Sequence, residues 1–292
     1  MEFSKTTQHL IRRNEPLAPY TWLQIGGNAS LFAEPNSLEE LSQLLADAHR
    51  LSLPVRLLGS GSNILCRESG FDGLVISLST AELSKIEIRG ERLIARAGAR
   101  LNHVISAAVG AGLSGLEHLA GIPGTIGGGV VSNAGVTNDD LGSHVDRVTI
   151  IVRDGKMTDL DRRQLQFGFR RSNLDDMVIA EVELALEPMD TAELTRRMQT
   201  NWIVKSKNQP QSGTRTVQAF IEPDGASLAD LLEAASVRGL ADGEVCLSAQ
   251  HAGYITVSGQ ATSEQVLALM ERVSRAVKIH SGIQLQSPLK IW

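Results

Sequence analysis

Gly121-Ile122-Pro123-Gly124-Thr125-Ile126-Gly127-Gly128-Gly129, running on to Asn133-Ala134-Gly135, is the stretch on which the fold of this chain turns. Glycine lets a backbone come close to another surface with its N–H groups uncovered. A run this rich in glycine therefore suits close approach to a ligand better than it suits the interior of a helix or strand. Two further segments share the property, Thr21-Trp-Leu-Gln-Ile-Gly26-Gly27 and Gly59-Ser60-Gly61-Ser62-Asn63. A single Gly-Gly or Gly-x-Gly string is ordinarily a turn. Three such segments together read as backbone that can cradle a pyrophosphate without a lysine. Residues 59–63 lack the third glycine of the dinucleotide fingerprint and follow a helix-then-strand order, so a Rossmann arrangement is a weak reading.

Around these segments the pattern is mixed. Ser37-Leu-Glu-Glu40 has capping-box spacing and opens an apolar period through Leu41, Leu44, Leu45 and Ala48, which predicts a helix to about Leu51. Val55–Leu58 and Leu74–Leu78 read as strands, residues 85–97 as a hairpin about Arg89-Gly90-Glu91, and Leu101–Val109 as a helix. Strand-like runs recur at 148–152, 156–160 and 178–186. After Glu187-Pro188 the composition changes: a polar amphipathic helix is expected over 191–205, then a Gln/Ser/Thr-rich loop to Thr216. Capped helices over 227–236 and 262–279 enclose a strand pair near Leu247 and Tyr254–Val257. A domain boundary near residue 188 follows, separating 16–188 from 189–292.

Composition narrows the partners. A net charge of −5 gives no general pull toward nucleic acid or anionic lipid, so an anionic ligand must be held by a local arrangement. Two cysteines, one in each half, argue against a disulfide framework. The histidines have no metal-ligand spacing, so no metal is expected. Met1–Arg13 lacks the apolar core of a signal peptide, and no apolar run reaches bilayer length. The expectation is a cytoplasmic protein with a small-molecule ligand and no nucleic-acid, membrane or protein partner inferred.

Thr21 with Gly26-Gly27, the Gly-Ser-Gly-Ser-Asn loop and the Ile-Pro-Gly-Thr-Ile-Gly-Gly string ending in Asn-Ala-Gly resemble, in order and distance, the flavin-binding pattern of the UDP-N-acetylenolpyruvoylglucosamine reductase family, also called UDP-N-acetylmuramate dehydrogenases. The match runs over about 16–188 and continues more weakly to about Leu285. It implies an α+β protein: a two-subdomain FAD-binding module of the vanillyl-alcohol-oxidase/PCMH type, followed by a C-terminal α+β substrate domain. It further implies non-covalent FAD, NADPH as electron donor and a UDP-sugar enolpyruvyl ether as substrate, in peptidoglycan precursor synthesis. Cofactor contacts are implied at Thr21, Gly26, Gly27, Gly59–Asn63, around the pyrophosphate for 59–63. The adenosine and flavin side falls to Gly121, Ile122, Pro123, Gly124, Thr125, Gly127, Gly128, Asn133, Ala134 and Gly135.

Reducing an enol ether conjugated to a carboxylate needs a cation for the developing charge and an acid for the neighbouring carbon. In Phe167-Gly-Phe-Arg170-Arg-Ser172 the resemblance puts Arg170 at the family's active-site arginine, with Phe169 in place of a tyrosine. Departures follow. Val217-Gln-Ala-Phe220-Ile-Glu-Pro223 stands where the family has Gly-Ser-x-Phe-Lys-Asn-Pro, so Gln218 holds the serine donor's place and Glu222 is expected to repel a diphosphate. Gln286 and Pro288 stand in the two acidic places near the end. Ser212, Thr214 and Thr216 are the nearby hydroxyls that could substitute, and His251 sits at a family histidine. Two alternatives stay open: an FAD-binding homologue without activity, and a flavin oxidoreductase with another substrate.

Overall fold

The computed structural model describes residues 3–136, 139–210 and 213–292. Six α-helices are used below: α1 (Leu38–Arg50), α2 (Leu101–Gly110), α3 (Ile126–Val131), α4 (Thr191–Lys207), α5 (Leu228–Ala234) and α6 (Ser263–Ser281). Contacts divide the chain into two compact units. One takes the chain up to Glu15, Ser30–Ser60 and Asp72–Lys205; the other takes Pro16–Ala29, Gly61–Phe71 and Ser206–Trp292. The break expected at residue 188 is therefore not where the fold divides. Helix α4 stays with the first unit, and two short early segments fold with the C-terminal part.

In the first unit five antiparallel strands run in the order Met157–Asp161, Val145–Ile151, Val178–Ala185, Arg92–Arg96, Ile86–Arg89. The last two form the hairpin read from the sequence. Ala95, Leu93, Val182, Leu184 and Val148 are buried on the face that meets Leu101, Val104 and Ile105 of α2 and Ile126 and Val130 of α3. A second sheet has the order Arg12–Pro16, Asn28–Ala33, Phe71–Ser77, Val55–Leu58, with Val55–Leu58 parallel to Leu74–Ser77. Parallel strands need a crossover between them, and here the crossing segment is the Gly59–Gly70 stretch, part of which belongs to the other unit. Helix α1 packs Leu41, Leu44 and Leu45 into the same core. Its capping differs from the expected box: Ser37 Oγ accepts the Glu40 N–H, but the Glu40 carboxylate accepts from Asn36 N–H at 2.6 Å, one residue early.

The second unit is a four-stranded antiparallel sheet, Thr216–Gln218, Tyr254–Val257, Val245–Leu247, Ala241–Asp242, against α5 and α6. Strand alternation puts Val217, Ile255, Val257, Val245 and Leu247 into a core with Leu232, Val266, Leu269, Val273 and Val277. Helix α6 has a full capping box, Thr262 with Gln265, and ends at Gly282 with φ +75°, as its sequence signals indicate. The core is completed from far upstream: Leu23, Ile25 and Leu65 are buried in it. Lys290–Ile291 pairs in parallel with Ile64–Leu65, and Arg215 donates to Leu23 O (2.8 Å) and Gly259 O (2.9 Å). No helix among the described residues is long and apolar enough to cross a membrane.

Candidate functional site

In the first unit the glycine string forms a turn and then α3. Thr125 caps the helix by accepting from Gly128 N–H at 3.3 Å, while the N–H groups of Ile126 and Gly127 donate to Ala99 O (2.8 Å) and Ala97 O (2.9 Å). The amides that a short helix leaves open are thus committed to the protein. Gly59 lies against this turn, since a Cβ there would come 2.8 Å from Thr125 Oγ1. The structure therefore brings Gly59 and the 121–135 string together. Gly127 is glycine for packing, because its Cβ would lie 2.8 Å from Ala97 Cβ. Gly128 is different: it is exposed, and its Cβ would meet only Thr125 Oγ1, at 3.5 Å. Nothing in the protein requires that residue to be bare.

Asn133 is buried, with φ +44°, and its amide joins three segments. Its Nδ2 donates to Gly168 O and to Asp140 Oδ2, both at 2.9 Å, and its Oδ1 accepts from Gly142 N–H at 2.8 Å. Gly168 belongs to the hairpin Phe167–Gly168/Arg171–Ser172, and Ser172 Oγ donates to Val131 O at 2.8 Å. The end of the glycine string and this hairpin are bolted together twice. Between the hairpin strands sits Arg170, half-buried and with φ +56°, an uncommon conformation for a residue with a side chain. The Asn133 side chain is therefore a bracket for the arginine's hairpin, which its place in a cofactor motif did not reveal.

In the second unit the Thr21 and Gly61 segments touch. Trp22 N–H donates to Gly61 O at 3.0 Å, and a Cβ on Gly61 (φ +66°) would lie 2.9 Å from Thr21 Cα. Thr21 is buried and its hydroxyl engages Ala18 O (3.2 Å) and Ile25 O (3.3 Å), so its side chain shapes the turn. Gly26 and Gly27 abut Cys66–Gly70, with Gly27 N–H donating to Arg67 O at 2.9 Å. Asn63 Nδ2 donates to Pro288 O at 2.6 Å and Asn63 O accepts from Lys290 N–H at 3.0 Å. Ile221 N–H donates to Gln286 O at 3.1 Å. Asn63, the 217–223 segment and the 286–288 segment, read separately in sequence, are thereby one neighbourhood.

The structure also places the residues that depart from the family pattern. The Glu222 carboxylate accepts from Leu228 N–H at 3.0 Å, at the start of α5, and so is occupied by a helix end. The Thr216 hydroxyl is buried and donates to Ile255 O at 2.8 Å, which removes it as a substitute acid, and Ser212 lies outside the described residues. Cys66 is buried, and burial pushes its thiol up to about 12. It is packing, not a nucleophile.

A bare, exposed Gly128 next to Thr125 and Gly59, on the first unit, fits a flat ligand that must approach backbone closely. An FAD-binding domain model matches residues 29–161, and a model of the C-terminal domain of UDP-N-acetylenolpyruvoylglucosamine reductase matches 209–292. A reductase of that name from Rhodopirellula baltica is 41% identical over 290 residues, covering 99% of this chain and 95% of the relative. The chain belongs to the UDP-N-acetylenolpyruvoylglucosamine reductase family. A second member, from Symbiobacterium thermophilum, is 37% identical over 97% of this chain and 92% of its own length. The crystal structure of the family enzyme from Thermus caldophilus superposes with a TM-score of 0.80 at 30% identity, covering 97% of this chain and 98% of that one. A solvent-stable cholesterol oxidase, 16% identical, shares the fold with a TM-score of 0.50 over 64% of this chain and 40% of that one. FAD and the PCMH-type architecture with a reductase-family C-terminal domain agree with the expectations from sequence.

What the motifs did not reveal is how α4 serves the glycine string. Asn201 Nδ2 donates to Glu117 O at 3.3 Å and Lys205 Nζ to His118 O at 2.5 Å, just before Gly121. Burial pushes the Glu117 carboxyl up, but hydrogen bonds from Gly115 N–H, its own N–H and Ser114 outweigh this and hold it below the usual range. A polar cleft of about 580 Å³ beside it is lined by Glu117, His118, His144, Glu193, Arg196 and Arg197, but its charges already pair, Arg197 with Glu117 and Glu193, and Arg196 with Glu193.

Proposed function

We propose that this chain is the cytoplasmic, NADPH-using FAD reductase that converts UDP-N-acetylglucosamine enolpyruvate to UDP-N-acetylmuramate, with the cofactor role in residues 16–188 and the substrate role in 189–292. The observation that carries this reading is the double bolt between the glycine string and the Arg170 hairpin, Asn133 to Gly168 and Ser172 to Val131. It makes one rigid piece of a ligand-lining backbone and a cation, which is what stabilising charge on a substrate carboxylate requires. When bound, FAD would supply the hydride transfer that links NADPH to the enol ether. Gly59, Ser60, Gly121–Thr125, Gly128, Ala134 and Gly135 would be among the residues that hold it, with Gly127 shaping the turn by its packing on Ala97. Gly26, Gly27 and Gly61–Asn63 would belong to the same set, with Thr21 and Asn133 contributing through the backbone they hold.

Arg170 neutralises the substrate carboxylate as the neighbouring carbon gains charge. Gln218 stands in the donor's place, and an amide is too weak an acid to serve. Anaerobic addition of NADPH to the purified protein is expected to bleach its flavin band, and UDP-N-acetylglucosamine enolpyruvate is expected to restore it. A flavin that NADPH bleaches and this substrate never restores overturns the reading in favour of a homologue without this activity or with another substrate, the reading that Gln218, Glu222, Gln286 and Pro288 together favour.

A further inference from the structure

The enolpyruvyl carbon needs a proton, and the residue at the donor's place, Gln218, cannot give one. Its surroundings in the second unit identify what can. Gln218 pairs directly with Tyr254 across the antiparallel strands, next to Val217↔Ile255 and Thr216↔Thr256. Directly opposed residues point to the same face, with Cβ atoms roughly 5 Å apart. Val217 and Ile255 are buried in the core, so Gln218 and Tyr254 share the other face, and both are half-buried. The phenol at 254 and the amide at 218 thus project from one face of the sheet at directly opposed positions.

Hydroxyl and thiol groups elsewhere on this sheet and at the chain end bond to backbone. The Thr216 hydroxyl donates to Ile255 O, Thr256 Oγ1 to Cys246 O at 3.4 Å, Cys246 Sγ to Leu247 O at 3.3 Å, and Ser287 Oγ accepts from Leu289 N–H at 3.2 Å. We propose that Tyr254 is the proton donor of this enzyme, having taken over from position 218 by lying directly across the strand pair from it. The proposal rests on the reductase reading above.

The step balances. Hydride originating in NADPH forms a C–H bond at the methylene carbon, and the pair of electrons from the double bond moves onto the carbon bearing the carboxylate. That carbon takes the phenol proton: the Tyr254 O–H bond breaks, a C–H bond forms, and the phenolate regains a proton from water. One NADPH and one proton are consumed per product. A free phenol has a pKa of about 10, and a carbanion next to a carboxylate is far more basic than a phenolate, so the transfer runs downhill.

Tyr254→Phe keeps the ring and its packing. It is expected to slow reoxidation of the pre-reduced enzyme by substrate about 10²- to 10⁴-fold, with FAD content and the rate of bleaching by NADPH unchanged. The high-pH fall in the wild-type reoxidation rate, as the phenol ionises, is expected to vanish in that variant. Gln218→Ser in the Tyr254→Phe background is expected to recover the rate at least tenfold.

A second measurement needs no turnover. The chain has two tyrosines, Tyr20 and Tyr254. Tyrosine labelled with ¹³C at Cζ therefore gives two resonances, and Tyr254's is the one missing from Tyr254→Phe. Substrate added to the oxidised protein without NADPH is expected to shift that resonance and leave Tyr20's in place. Wild-type enzyme that reoxidises while Tyr254→Phe does so equally fast, or a Tyr254 resonance that substrate leaves unmoved, overturns the proposal alone. Loss of the pH limb in His251→Asn with Tyr254→Phe unaffected overturns it in favour of the histidine, whose Nδ1 is buried without a hydrogen-bond partner among the described residues. Wild-type enzyme that substrate never reoxidises overturns the reductase reading itself.

Discussion

Arg170 holds its position against conformational preference. A non-glycine residue at φ +56° persists because the surrounding hairpin fixes it, and the strain is consistent with a side chain aimed for chemistry. Arg170→Ala is expected to slow reoxidation by substrate about 10²- to 10³-fold, the loss typical of one charge-stabilising donor, as stopped-flow at the flavin band would measure. Arg170 is singled out in the sequence by its motif because the motif is local. The work of Asn133 is not, because its hydrogen-bond partners are set by folding: Gly168 lies far along the chain from Asn133. Asp47 illustrates the same at the level of charge. It is buried beneath the N-terminal segment; burial alone would raise its pKa, but Thr7 Oγ1 at 2.7 Å and Ser4 N–H at 3.0 Å bring it down to about 2. Its folded pKa is below its unfolded one, so it stabilises the protein above pH about 4, and this is lost as pH falls toward 2. Asp47→Asn is expected to cost on the order of 2 kcal/mol at pH 7 and to flatten that part of the acid limb in denaturant titrations.

Elements carried most of what could be read in advance. Helices α1, α2 and α6 and the hairpin Ile86–Arg89/Arg92–Arg96 follow from apolar period, caps and a glycine turn, which are properties of neighbours in sequence. The glycine string was read as one ligand-facing run, yet its glycines differ in what they meet. Gly127→Ala would drive a methyl into Ala97 and is expected to destabilise by about 1–3 kcal/mol. Gly128→Ala has room and replaces glycine in a helix, so the FAD-free protein is expected to gain about 0.5–1 kcal/mol while FAD affinity falls at least tenfold. Thermal melts of the apoprotein and flavin fluorescence titration separate the two effects. Unchanged FAD affinity in Gly128→Ala would remove that residue from the lining. Ser172→Ala removes one of the two bolts on the Arg170 hairpin. A net loss of about 1 kcal/mol in stability is expected, with a larger proportional loss in the rate of flavin reoxidation than in FAD content.

Across the whole molecule the chain leaves and re-enters each unit, changing at residues 15/16, 29/30, 60/61, 71/72 and 205/206. A composition shift near Pro188 is visible in sequence, but it marks the start of α4, whose Asn201 and Lys205 serve the loop before Gly121, so the fold does not part there. The segments 16–29 and 61–71 carry no such shift, because their few apolar residues look like any loop's until the core they enter is known. Leu23 and Leu65 are fully buried in the C-terminal core and Ile25 nearly so. A fragment of Ser206–Trp292 alone would open three side-chain cavities, each costing roughly 2–5 kcal/mol, and would lose the strand partner of Lys290–Ile291. Against a typical folding stability of about 5–15 kcal/mol, those losses are enough to abolish folding. The fragment is expected to give collapsed amide resonances and no cooperative urea transition. A variant that appends Pro16–Ala29 and Gly61–Phe71 through flexible linkers is expected to regain both, since it restores the same core without the first unit. A well-dispersed spectrum from Ser206–Trp292 by itself would mean that the upstream leucines and isoleucine decorate this core and do not complete it.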